Sequence, residues 1–188
     1  MSTLRRLLVA LAMLASSPAL ALQPAPPVAP FAATGTVQYA FTPGDHADDM
    51  IIAAIAAARR EVLVQAFSFT HRRIASALAA ARRRGAEVVV LADAEQMRAN
   101  NSSALRDLVR AGVPVMLDEQ HAWAHNKVMV IDGGLDNCAV ITGSYNFTSA
   151  AQQRNAENVL ILRGNAPLCE AYRNNWLRHR AHALPMRR

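Results

Sequence analysis

Two side chains at the head of one apolar run invite a chemical reading. The stretch AHNKVMVID, residues 124–132, places His125 and Lys127 two residues apart, ahead of Val128-Met129-Val130-Ile131, and closes on Asp132. In extended backbone a spacing of two puts both side chains on one face. Gly143-Ser144-Tyr145-Asn146-Phe147-Thr148 follows at the end of the next apolar run, then Glu157-Asn158. Gly143 suits a tight turn or a close backbone approach. Ser144 and Asn146 supply a hydroxyl and an amide where the chain turns into a helix N-terminus, a place that favours an anion. An imidazole, an ammonium, an amide and a carboxylate near neighbouring strand ends suit phosphoryl chemistry: a nucleophile, clamps for the equatorial oxygens and an orienter for the imidazole. Taken singly, each piece has an ordinary explanation, since most strand histidines are structural and most lysines solvated. The conjunction is far more specific.

The elements that must position these groups alternate. Strands are predicted at Val37–Phe41, Val62–Phe67, Glu87–Ala92 and Val113–Leu117, with helices at Asp45–Arg60, Ile74–Arg84 and Ser102–Ala111 between them. Gly85 and Gly112 mark two helix ends. The run EVVVLA is nearly all apolar, as in a strand covered on both faces. This order predicts an α/β fold: a mixed, largely parallel sheet with right-handed crossovers and helices on both faces. Strands Lys127–Ile131 and Cys138–Thr142 then form a hairpin around Gly133–Asn137. A short helix at Phe147–Gln152, a strand at Val159–Leu162 and a closing helix at Pro167–His179 complete the chain. No internal repeat is apparent, so the site occurs once per chain.

At His125-Asn126-Lys127-Val128-Met129-Val130-Ile131-Asp132 the chain resembles the phospholipase D superfamily, and most of all its small secreted bacterial endonucleases. The stretch matches that family's HKD motif in full, and Gly143–Thr148, Glu157-Asn158 and Val64–Thr70 resemble the accompanying segments. The resemblance spans roughly residues 36–180 and implies the phospholipase D-like α-β-α sandwich. It also implies roles. His125 is the nucleophile and forms a covalent phosphohistidine. Lys127 and Asn146 hold the nonbridging oxygens, and Ser144 supports the site by hydrogen bonding. Glu157 bonds the far ring nitrogen of His125 and fixes its tautomer. Asp132 belongs to the motif but supports the loop more than it touches substrate. No metal and no other cofactor is implied, and the chain lacks the carboxylate-rich clusters of a two-metal nuclease. In-line displacement at phosphorus sets nucleophile and leaving group on opposite sides, so one histidine cannot serve both. Larger family members carry two motifs and this chain has one. A two-fold homodimer with His125 facing His125 is therefore expected, one copy attacking and the other acting as general acid.

The 188 residues carry 20 Lys and Arg against 14 Asp and Glu, a formal charge of +6. Residues 1–21 read as a secretory signal peptide: Arg5 and Arg6, a short apolar run from Leu7 to Leu14, and a small-residue cleavage site at Ala19-Leu20-Ala21. Its removal leaves 18 basic against 14 acidic residues. Residues 22–34 read as a proline-rich linker and residues 35–188 as one catalytic domain. The expected location is periplasmic or secreted, without a stable membrane anchor after cleavage. Cys138 and Cys169, the only cysteines, fall in a predicted strand and a predicted helix. Two buried thiols are favoured over the single disulfide that an oxidising compartment permits.

The leading expectation is a metal-independent phosphodiesterase, an endonuclease that hydrolyses DNA or RNA with little sequence preference. A basic exported protein suits an anionic partner. The alternatives are a lipid phosphodiesterase of the same chemistry and a non-catalytic nucleic-acid-binding protein. Asp45, Asp48 and Asp49 are assigned to a helix's first turn rather than to a metal. His121 and His125 have the spacing of a helical metal pair, but the segment runs into a strand, so rim roles for His121 and Trp123 are preferred. Arg72, Arg73, Arg82, Arg83 and Arg84 are possible phosphate contacts, the last three equally a solvated helix end.

Overall fold

The structure is a computed structural model that describes residues 28–100 and 102–187. The proposed signal peptide therefore lies outside the described residues. Residues from Phe31 onward form one unit. Within it, Ala32 accepts a hydrogen bond from the Asn165 amide (3.2 Å), and the Thr34 hydroxyl donates to the Gly164 carbonyl (3.4 Å).

The element order is β1 (Thr36–Thr42), α1 (Ala47–Ala56), β2 (Glu61–Ala66), α2 (Arg72–Arg83), β3 (Glu87–Asp93), α3 (Ala94–Asn100), α4 (Ser103–Arg110), β4 (Val115–Asp118), β5 (Lys127–Ile131), β6 (Ala139–Gly143), α5 (Ser149–Gln153), β7 (Glu157–Arg163), α6 (Ala166–Arg180) and β8 (Leu184–Pro185). Eight strands form one sheet in the order β1-β7-β6-β5-β2-β3-β4-β8. The α/β class and the mixed sheet are as expected, but the parallel part is smaller. Only β2–β3 and β3–β4 pair in parallel, and the other five pairings are antiparallel. Part of the reason is that β5 and β6 join by a short connection, residues 132–138, which cannot make a parallel crossover.

Strand periodicity sorts the core into two faces. Val62, Val64, Ala66, Val88, Val90 and Ala92 pack into the larger cluster with residues of α1, α2 and α4. Their alternates Leu63, Val89 and Leu91 pack with Val128, Val130 and Trp176 of α6. Burial of both faces explains the unbroken apolar run of β3. Trp176 satisfies its indole by donating to the Val64 carbonyl (3.0 Å). Among the described residues no helix is long and apolar enough to cross a membrane.

Side chains close the helix ends. Ser102, Thr148 and Asn165 accept from Leu105, Ala151 and Leu168 backbone N–H groups at the starts of α4, α5 and α6. Arg84 donates to the Ile55 and Ala56 carbonyls at the end of α1 (both 3.1 Å), so it serves a helix terminus. Arg73 is engaged by Asp48 (2.7 Å) and Asp49 (2.5 Å) rather than held free for phosphate. Asp48 and Asp49 sit in the first turn of α1 as expected.

The expectation of two free thiols is corrected. Cys138 and Cys169 are joined in a disulfide, and no described cysteine is free. The bond ties the segment just before β6 to α6. Helical and strand placement of the two cysteines did not forbid it, because α6 crosses back over that end of the sheet with Cys138, Val140 and Cys169 in one buried cluster.

Candidate active site

The sheet brings the expected groups to one edge. β5 runs antiparallel to both β2 and β6, and β6 antiparallel to β7. The start of β5, the end of β6 and the start of β7 therefore lie together, beside the carboxyl ends of β2 and β3. That edge is where open α/β sheets place their ligands.

His125 lies two residues before β5 and is exposed, while Lys127 is the first residue of that strand and is only 8% exposed. The Lys127 Nζ is 3.0 Å from His125 Nδ1, 3.3 Å from Nε2 and 2.8 Å from the His125 carbonyl oxygen, to which it donates. It also lies over the Phe67 ring, 4.7 Å from the centroid. Burial pushes the Lys127 ammonium below the ordinary lysine value, and the Glu157 carboxylate pulls it the other way.

Phe67 was not singled out from sequence. It follows β2, its ring centre lies 4.2 Å from that of His125, and its N–H donates to the Asn126 carbonyl (2.9 Å). The Trp123 ring lies 6.1 Å from both and is 65% exposed. The imidazole thus stands at an exposed edge with aromatic rings beside it. The register that pairs Ala66 with Lys127 delivers Phe67 to this point. Only an aromatic at the end of a buried strand could have hinted at it.

The loop after β6 is shaped by Gly143. Its φ is +149°, and a Cβ there would meet the Asn158 carbonyl oxygen at 2.2 Å. That same oxygen accepts from Ser144 N–H (3.1 Å) and Tyr145 N–H (3.3 Å). In return the Ser144 hydroxyl oxygen accepts from the Asn158 backbone N–H (3.1 Å) and its amide (3.3 Å). Ser144 thus ties the ends of β6 and β7, the supporting role expected of it. Asn146 is half-buried, and its Oδ1 is buried without a hydrogen-bond partner. An unpaired polar atom of this kind costs about 1–3 kcal/mol.

One expected contact is corrected. No hydrogen bond joins Glu157 to His125. The Glu157 carboxylate accepts from the Asn155 amide (3.1 Å), and it acts on Lys127 through charge. A neighbouring donor in its own loop competes for the carboxylate. Asp132 stands at the far end of β5, roughly 20 Å of extended strand from His125. It is fully buried, with φ +51°, and accepts from the backbone N–H groups of Arg59, Arg60 and Glu61 and from the Asn137 amide. Burial works to raise its carboxyl value; these donors outweigh it and hold the carboxyl below the usual range. Asp132 organises the entry to β2 and the β5–β6 turn.

An imidazole and an ammonium in contact at the carboxyl edge of an α/β sheet, with an amide and a carboxylate on the adjoining strand ends, define a phosphodiesterase of the phospholipase D type. The chain belongs to the phospholipase D superfamily: residues 51–179 match the family described as cardiolipin synthase, PLD-like domain. A protein named phospholipase D from Rickettsia bellii is 38% identical over 145 residues, covering 77% of this chain and 69% of that protein. The human mitochondrial cardiolipin hydrolase is 34% identical over 118 residues, covering 63% of this chain and 45% of that protein. Among solved structures, the phospholipase D family member Nuc from Salmonella typhimurium superposes with a TM-score of 0.76 at 29% identity, covering 81% of this chain and 99% of that one. NucT from Helicobacter pylori shares the fold, with a TM-score of 0.70 at 23% identity, covering 80% of this chain and 99% of that one.

Proposed function

We propose that this phosphodiesterase is an exported endonuclease that cuts nucleic acid through a phosphohistidine on His125, without a catalytic metal. The observation that carries the reading is the Lys127 ammonium held by burial against the His125 ring and its carbonyl. A neutral His125 nitrogen attacks phosphorus and the bond to the leaving oxygen breaks. A second, protonated His125 gives that oxygen its proton. Water then attacks phosphorus, the phosphorus–nitrogen bond breaks to release the first His125, and the water's proton goes to the second, now neutral, histidine. Lys127 neutralises a nonbridging oxygen. Asn146 offers the N–H donors of its carboxamide to another. The two imidazoles of such a pair titrate together.

A second His125 requires a second copy. Val37, Tyr39, Phe41 and Leu160 form an exposed apolar stripe on β1 and β7 that α6 does not cover. Phe41 pairs with Asn158, one residue from Glu157, so the stripe begins beside the site. A homodimer that buries it supports the two-histidine scheme.

Exposed Trp123 near His125 favours nucleic acid, because a base can stack on its ring. The basic composition and the likeness to Nuc point the same way. The disulfide supports export to an oxidising compartment. A lipid phosphodiesterase is the second reading, favoured by relatives named phospholipase D and cardiolipin hydrolase. The test is nicking of supercoiled plasmid, run beside hydrolysis of cardiolipin vesicles, without added divalent cation. Nicking by wild type and not by His125→Ala supports the nuclease. Vesicle hydrolysis with intact plasmid moves the assignment to lipid.

A further inference from the structure

Four side chains outside the proposed phosphodiester chemistry converge on one point. Asp118 ends β4, His121 follows in the loop that leads to His125, His179 lies in the last turn of α6, and His182 comes just after it. His121 Nδ1 is 3.0 Å, His179 Nδ1 3.1 Å and His182 Nε2 3.1 Å from Asp118 Oδ2. All four ligand atoms lie within 4.8 Å of one another. The three rings are mutually packed, with centroids 4.8, 5.3 and 5.7 Å apart.

A ring of hydrogen bonds explains this poorly. A carboxylate oxygen has about two lone-pair sites. Here His179 Nδ1 and His182 Nε2 both meet Oδ2, His121 Nδ1 straddles Oδ2 (3.0 Å) and Oδ1 (3.1 Å), and Oδ1 also accepts from the Gln120 and His121 backbone N–H groups, so five nitrogens share one carboxylate. A cation at the centre resolves the crowding, because each nitrogen then offers its lone pair and none needs a proton. In a tetrahedral zinc site, with bonds of about 2.0–2.1 Å, neighbouring ligand atoms are about 3.3 Å apart. The three nitrogen–oxygen separations already approach that edge. Only the nitrogens must draw closer together.

We propose that Asp118, His121, His179 and His182 bind one zinc ion as a structural site. Three imidazoles and one carboxylate suit zinc, whereas magnesium and calcium favour oxygen ligands. Four protein ligands leave no open position, which is the pattern of a structural site rather than a catalytic one. Asp118 is buried, so one ligand is fixed by the sheet. Zinc would fasten the end of α6 to the loop that carries Trp123 and His125. The buried Asp93 carboxylate already holds that loop by accepting from Ala124 N–H (2.8 Å). The zinc would order the segment ahead of the nucleophile without entering the phosphoryl transfer.

The test uses full-length protein purified without a polyhistidine tag and dialysed against zinc chloride. Metal content is read by mass spectrometry, and cobalt substitution by its visible absorption. The expected result is one tightly held zinc per chain, a tetrahedral cobalt spectrum, and a lower Tm after chelation. His121 is surface-accessible, so His121→Ala tests the ligand set with little risk to folding; His182→Ala is the second variant. Both lose the stoichiometric zinc, and their Tm no longer responds to chelator. No zinc in the wild type, or equal zinc in wild type and both variants, overturns the site.

Discussion

Replacing Asp132 separates support of the fold from chemistry, because the residue belongs to the motif yet stands far from His125. Its carboxylate accepts three backbone N–H groups and the Asn137 amide. Arg59, Arg60 and Asn137 are exposed, so water takes over much of their loss. Asn keeps one oxygen for the Arg60 and buried Glu61 N–H groups, which both donate to Oδ1, but it loses the charge they face and sets an NH2 donor against the Arg59 N–H and the Asn137 amide at Oδ2. Hydrogen bonds to a charged group are worth about 1.5–3 kcal/mol against about 1 kcal/mol for neutral ones, so over this set Asp132→Asn is expected to cost about 3 kcal/mol. Asn tolerates the positive φ, whereas Asp132→Ala adds roughly 1 kcal/mol of backbone strain. For a domain of this size the first change lowers Tm by roughly 6–12 °C. The sign with pH also follows. The folded carboxyl sits below its unfolded value of 3.8, so its contribution is present above that pH and is lost as pH falls through the lower folded value. The wild type and Asp132→Asn should therefore converge in acid. Thermal unfolding across pH, with turnover measured in the cold where both are folded, checks this. Unchanged stability with abolished turnover in Asp132→Asn would refute the supporting role.

Lys127→Met should lower kcat about 10²–10³-fold, the usual loss of one charge-stabilising donor, with the fold retained, as read from kinetics and circular dichroism. Cys138→Ala with Cys169→Ala removes a crosslink closing 31 residues and should cost about 4 kcal/mol by chain entropy, measured by urea unfolding. Gly143→Ala places a Cβ against the Asn158 carbonyl oxygen; it should destabilise by about 2 kcal/mol or more and depress turnover by displacing Ser144 and Asn146, checked by the same two assays.

Local patterns were the legible part of the sequence. The strand Lys127–Ile131 was predicted with the bounds observed, because an unbroken apolar run bounded by polar residues leaves little choice. Glycines marked the ends of α2 and α4 because they stand just past each helix. Contacts made by distant segments were not legible. The two-residue strand β8 carries no pattern of its own and exists because β4 has a free edge. Short helix α3 has little periodicity to read. His121 was weighed against His125, four residues away, whereas its neighbours are His179 and His182, brought in by α6. The disulfide and Phe67 were missed for the same reason: each depends on register or on a helix crossing the sheet. For the site, the types and clustering of His125, Lys127, Ser144 and Asn146 were readable. The expected bond from Glu157 to His125 was not found, since residue type cannot show which of several nearby donors a carboxylate takes.

The central claim is that His125 becomes covalently bonded to phosphorus. The most direct measurement is rapid mixing of the enzyme with a phosphorus-labelled oligonucleotide, followed by denaturing quench and peptide mass spectrometry. The account predicts an acid-labile, alkali-stable adduct on His125, present in the wild type during turnover and absent from His125→Ala. Full turnover with no adduct on His125 at any time, or an adduct on another residue, would contradict it.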